Sequence, residues 1–212
     1  MHEIKRGTFI TLEGVEGAGK STQLAYIEDF LRRADIDLLV TREPGGTVLG
    51  EEIRELLLRP RQDGMSDRAE LLLMFAARAE HLQKKIIPAL RAGTWVLCDR
   101  FTDATYAYQG GGRGLDTGLI SQLEQLAQDE LRPDVTIYLD VPVETGLQRA
   151  SRRGELDRFE QENQQFFNRV REVYLQRANS LPDIYHCIDA TQDIDAVQRD
   201  IQLLLARLIQ SR

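Results

Sequence analysis

A chain of 212 residues, 42% hydrophobic and 29% charged, can build one ordinary core and is short for two. Its net charge of −7 argues against a nucleic-acid partner, since affinity for a phosphate backbone needs a basic face. No apolar run approaches the roughly 18 residues needed to cross a bilayer, and Phe9–Leu12 is too short for a signal-peptide core, so no membrane association and a cytoplasmic location are expected. Cys98 and Cys187 lie in short apolar stretches outside any CxxC pair and read as buried, reduced thiols.

In chain order, Phe9–Leu12 reads as a strand and Lys20–Ala34 as a helix opened by a glycine turn. Leu38–Thr41 is the next strand, followed by a helix over Gly50–Leu58 with Ile53, Leu56 and Leu57 at helical spacing. A long helix over Glu70–Leu90 ends near Pro88 and Gly93, and Trp95–Cys98 is a third strand. Then come a helix Leu119–Gln128, a strand Val135–Leu139, helices Val143–Arg152 and Phe159–Ser180, a weaker strand Tyr185–Ile188 and a helix Ile194–Ile209. Short β-branched or aromatic runs separated by helices imply right-handed crossovers. The expected fold is a three-layer α/β P-loop NTPase domain spanning 1–212, its five-stranded parallel sheet covered by helices on both faces. Ligands of such sheets bind beyond the carboxyl ends of the strands, where every motif below falls.

Gly14-Val15-Glu16-Gly17-Ala18-Gly19-Lys20-Ser21 satisfies GxxxxGK[ST] between a strand and a helix, the context this phosphate loop requires. The glycines let successive N–H groups face one anion, and the helix N-terminus adds partial positive charge. Lys20 is expected to reach the β- and γ-phosphates of ATP and Ser21 to ligate Mg²⁺; Thr22 and Arg149 complete the ATP-binding set. No Asn-Lys-x-Asp guanine reader exists, and the small size favours a small-molecule kinase over a motor or transporter. The strand Trp95–Cys98 ends in Asp99-Arg100: Asp99 is a second candidate Mg²⁺ ligand, and Arg100 offers a planar fork for a phosphate.

With Gly14–Ser21, the runs Arg42-Glu43-Pro44-Gly45-Gly46-Thr47, Asp99-Arg100-Phe101 and Tyr108-Gln109-Gly110-Gly111-Gly112-Arg113-Gly114 resemble the bacterial thymidylate kinases over nearly the whole chain. The resemblance implies phosphorylation of dTMP to dTDP by ATP, a step toward dTTP, in a homodimer. It assigns Glu16 to the acceptor's 3′-hydroxyl, Arg54 and Arg100 to its phosphate, and Arg78 to the thymine edge. Thr105 would meet the base, Tyr108 would crowd the 2′ position, and Glu43 and Gln109 complete the acceptor set. Where the family places a stacking phenylalanine, this chain has Met74 followed by Phe75, so either Met74 or Phe75 would cover the thymine ring.

The segment 149–158 carries the densest arginine run, Arg149, Arg152, Arg153 and Arg158, and reads as a lid. The phosphate loop itself holds no arginine, and the resemblance implies that the lid supplies the catalytic one: Arg153, with Arg149, Arg152 and Arg158 as unranked helpers. The expected catalytic set is Lys20, Asp99 and Arg153, acting by alignment and charge neutralisation without a strong base. His2, His81 and His186 are accordingly expected at the surface or partly packed. Two rival readings, a deoxynucleoside kinase and an inert P-loop regulator, differ in needing a carboxylate base or in tolerating loss of Arg54, Arg78 and Arg100.

Overall fold

The computed structural model describes residues 6–151 and 157–210. Five strands, β1 (Phe9–Gly14), β2 (Leu38–Arg42), β3 (Trp95–Asp99), β4 (Val135–Asp140) and β5 (Tyr185–Asp189), form one all-parallel sheet in the order β2-β3-β1-β4-β5. Each strand begins as expected and runs one or two residues further, ending on Gly14, Arg42, Asp99, Asp140 or Asp189. Polar and glycine residues are therefore gathered along the carboxyl edge, where the parallel topology leaves a crevice. β1, at the centre, is buried at all six positions.

Period-2 alternation sorts the strand side chains onto two apolar layers. Ile10, Leu12, Trp95 and Leu97 join one core cluster with Tyr138, Phe167 and Tyr174, whereas Phe9, Val96 and Cys98 join Leu82, Ile86, Leu90 and Phe101 in the other. Cys98 is buried as expected, but Cys187 is exposed: it lies on β5, an edge strand with a neighbour on one side only. Among the described residues no helix is long and apolar enough to cross a membrane.

The helices are α1 (Lys20–Arg33), α2 (Val48–Leu58), α3 (Asp67–His81), α4 (Ile87–Arg91), α5 (Thr102–Thr105), α6 (Thr117–Gln128), α7 (Val143–Ala150), α8 (Gln164–Ser180) and α9 (Ile194–Gln210). Side-chain caps decide several starts. Ser66 accepts from Ala69 N and opens α3 three residues before the expected Glu70, and Asn163 accepts from Phe166 N and opens α8 after the expected Phe159. The long helix expected over Glu70–Leu90 is α3 and α4 joined by a π-helical turn at Leu82–Ile86. Pro88 has no N–H to give the α-register, and widening the turn before it relieves that mismatch. The segment Thr102–Gly112, α5 followed by a π-helical stretch over Tyr106–Gly112, is helical although its glycines hide the pattern.

Candidate active site

The phosphate loop leaves β1 at Gly14 and enters α1 at Lys20. Gly17 has φ +72°, and a Cβ there would lie 1.9 Å from the Gly146 carbonyl oxygen of α7, so this position has room only for glycine. Lys20 folds back over the loop, its Nζ donating to the carbonyls of Gly14 (2.9 Å) and Val15 (3.1 Å). Burial lowers the Lys20 pKa, with the charge of Arg100 acting in the same sense.

Register fixes what faces the loop. Leu12 of β1 and Arg42 of β2 both align with Asp99 of β3, so the tips of three strands lie level. At the tip of β3, Arg100 adopts φ +67°, held by its own N–H on the Leu12 carbonyl (3.0 Å) and by Phe101 N–H on Glu13 Oε1 (2.7 Å). That turn aims the guanidinium back at the phosphate loop. It donates to the Gly14 carbonyl (3.2 Å) and Glu16 Oε1 (2.5 Å), lying 4.7 Å over the Tyr108 ring. The Tyr108 hydroxyl donates to the same Glu16 oxygen at 3.1 Å, and burial raises its pKa so that it stays a donor. Asp99 Oδ1 is buried with no hydrogen-bond partner among the described residues.

One cavity of about 220 Å³ joins these groups to the rest of the expected acceptor set. Its wall includes Lys20 and Ser21 on one side and Arg54, Met74, Arg78, Thr105, Tyr108 and Gln109 on the other. Arg54 is steadied by donation to the Pro44 carbonyl at 2.9 Å, and its pKa is lowered by burial and then by Arg42. Arg78 donates through Nε to Glu43 Oε2 (2.7 Å) and through Nη2 to Thr105 Oγ1 (2.9 Å), leaving Nη1 buried and without a partner. Gln109 donates to Glu70 at 2.7 Å. Met74 lines the cavity, whereas Phe75 is packed with Leu71, Tyr106 and Ile120, its ring 4.8 Å beneath the Arg78 guanidinium. Of the two ring-covering candidates, only Met74 reaches the cavity.

The arginine run divides. Arg149 donates to the Ala190 carbonyl at 3.0 Å, beside the end of β5. Arg158 donates to the Leu57 carbonyl (2.8 Å) and pairs with buried Glu70 (2.7 Å), so it is anchored to α2 and α3 in this conformation. Arg152 and Arg153 lie outside the described residues. Asp157, inside the run, and Phe159 and Glu160, just after it, also line the cavity. Asp157 belongs to the segment expected as a lid, whereas the residue pattern offers no reason to single out Phe159 and Glu160.

His81 departs from expectation. It is fully buried, with Nε2 2.7 Å from Thr41 Oγ1 and Nδ1 3.1 Å from Glu43 Oε1. Helical spacing from Arg78 was the available signal, since residues three apart share a helix face.

Among the described residues no group of three or more His, Cys, Asp or Glu could hold a metal by itself. Ser21 and Asp99, both of which line the cavity, carry oxygens that suit a hard cation bringing phosphate oxygens and water as its other ligands. Together these features define a P-loop phosphotransferase with a second, arginine-lined pocket facing its phosphate loop, the arrangement of a nucleoside monophosphate kinase.

The family described as thymidylate kinase matches residues 12–201. A thymidylate kinase of Pseudomonas putida strain F1 is 59% identical over 204 residues, covering 96% of this chain and 97% of that protein. One from Ectopseudomonas mendocina is 60% identical over 205 residues, covering 97% and 98%. The crystal structure of thymidylate kinase from Ehrlichia chaffeensis superposes with a TM-score of 0.77 at 35% identity, covering 95% of this chain and 99% of that one. The chain belongs to the thymidylate kinase family.

Proposed function

We propose that this chain transfers the γ-phosphoryl group of ATP to dTMP, giving ADP and dTDP. The observation that carries the reading is the single cavity shared by Lys20 and Ser21 with Arg54, Arg78 and Arg100. ATP phosphates lie against the loop amides and the helix N-terminus, and Lys20 exchanges its loop carbonyls for the β- and γ-oxygens. Arg54 and Arg100 hold the acceptor phosphate, Arg78 and Thr105 meet the base edge, Met74 covers the ring, and Glu16 with Tyr108 borders the sugar. Gln109 adds a polar group at the base end.

The acceptor phosphate is already an anionic nucleophile, so no base is required. These residues align two nucleotides and neutralise the charge spread over the transferred group. Ser21 and Asp99 are the residues that would hold Mg²⁺, which when bound neutralises phosphate charge. Arg153 is the arginine assigned to the γ-phosphate, with Arg149 toward the ATP side, in a lid near 149–158 of one domain spanning 1–212.

A homodimer fits exposed Val48, Leu49 and Leu56 on α2 and Leu72 on α3, an apolar stripe that a second copy would cover. A cytoplasmic location, with no nucleic-acid or membrane partner, is consistent with the net charge of −7. A coupled ADP-release assay over dTMP, dUMP, dCMP, dGMP and thymidine tests the reading. Turnover is expected with dTMP and, about fivefold more weakly for the lost methyl, with dUMP. Activity confined to thymidine would overturn it.

A further inference from the structure

We infer that His81 is a positioning residue for acceptor-base selection: through Glu43 it locks the Arg78 guanidinium so that its Nη1 amino group remains for a carbonyl oxygen of the base. The inference rests on the reading that Arg78 meets the base edge.

Arg78 is constrained on almost every side. Nε is on Glu43, Nη2 is on Thr105, and Cζ lies 4.8 Å from the centre of the Phe75 ring and 5.1 Å from that of Phe101. Only Nη1 lacks a partner, although it is buried and Arg78 lines the cavity. A buried N–H is costly until an acceptor engages it, and a guanidinium can only donate. The pocket therefore suits a base carbonyl and disfavours the exocyclic amino group that cytosine presents at the equivalent edge.

What holds the guanidinium is a carboxylate whose two oxygens are both committed. Glu43 Oε2 accepts from Arg78, and Glu43 Oε1 lies 3.1 Å from His81 Nδ1. A carboxylate only accepts, so Nδ1 carries a proton toward Glu43, while Nε2 is hydrogen-bonded to the Thr41 hydroxyl at 2.7 Å. The backbone presses this arrangement closed: a Cβ at Gly46, where φ is +84°, would lie 2.4 Å from His81 Nε2. Glu43 is further tied to β3 by its N–H on the Asp99 carbonyl at 3.0 Å. Without His81, one Glu43 oxygen loses its donor, the carboxylate can rotate, and Arg78 loses the fixed pose that separates an acceptor from a donor on the base.

Equilibrium titration with dTMP and dCMP, with KM for ATP measured in parallel, tests this on wild type, Arg78→Ala, His81→Leu, His81→Asn and Thr41→Val. Arg78→Ala tests the underlying reading and must lose most of the dTMP preference; if it keeps that preference, the reading and this inference both fall. His81→Leu is expected to weaken dTMP about tenfold and to narrow the dTMP-to-dCMP ratio by a similar factor, with KM for ATP within about twofold. His81→Asn restores most of the ratio, because its amide N–H can replace the Nδ1 donor to Glu43. Should His81→Leu fail to fold, Thr41→Val leaves the ring in place and is expected to narrow the ratio by about threefold. If Arg78→Ala loses the preference while the folded His81→Leu, or Thr41→Val in its place, keeps the wild-type ratio, His81 has no part in base selection.

Discussion

Arg100 at the tip of β3 and Glu16 inside the phosphate loop are joined at 2.5 Å, each with a side chain only 16% exposed. This pair spans the cavity, because one partner lies in the phosphate loop and the other at the tip of β3, in the proposed acceptor pocket. Glu16 also accepts from Tyr108, so one carboxylate orients both the cation proposed to hold the acceptor phosphate and the ring proposed to border the sugar.

Glu16→Gln keeps the size and removes the charge. A hydrogen bond to a charged group contributes about 1.5–3 kcal/mol, so KM for dTMP should rise roughly tenfold to a hundredfold with KM for ATP little changed. Steady-state kinetics with each substrate varied in turn checks this; an equal rise in both constants would contradict it.

Met74→Phe should tighten dTMP. An aromatic pair adds about 0.5–1.5 kcal/mol beyond area burial, so Kd for dTMP should fall by about twofold to tenfold, read by titration of the ADP-loaded protein. No change would mean that the ring of the acceptor does not lie against this position.

Much of the sheet and the loop was legible in the residues. The strand Trp95–Cys98 and the glycine-rich turn carry their geometry locally, in β-branched and aromatic runs and in positive-φ glycines. What escaped depended on distant partners. His81 offers only its helical spacing from Arg78, because the partners that bury it, Thr41 and Glu43, are about forty residues away in sequence. Likewise, Arg158 belongs to an arginine run that reads as one lid, yet Glu70 and the Leu57 carbonyl hold it. Thr102–Gly112 was hidden because glycines argue against a helix until packing against α8 outweighs their entropy cost.

Glu13 sets a pH dependence of stability. Burial, with the Asp103 charge second, raises its carboxyl from the usual 4.5 to about 8, outweighing donation from Tyr174 and Phe101 and the charge of Arg100. The folded state then holds a proton that the unfolded chain has released, so this stabilisation is complete below about pH 4.5 and is lost as pH rises through about 8. Glu13→Gln imitates the protonated acid and should not show the loss. Between about pH 5 and about pH 8.5 the Tm of wild type should fall relative to the variant. A constant difference would contradict the assignment.

Chelation should separate chemistry from folding. The described residues offer Ser21 and Asp99 but no cluster of three or more metal-ligating side chains. Excess EDTA should therefore abolish turnover while leaving Tm unchanged, and Asp99→Asn should raise the Mg²⁺ concentration needed for half-maximal rate by about tenfold. A large drop in Tm on chelation would point to a structural metal instead.

The fate of the γ-phosphoryl group is the most direct test. With ATP labelled at that position and dTMP in excess, the account predicts one labelled dTDP for each ADP released, with little free phosphate. Label appearing only as inorganic phosphate, or on thymidine but never on dTMP, would contradict it.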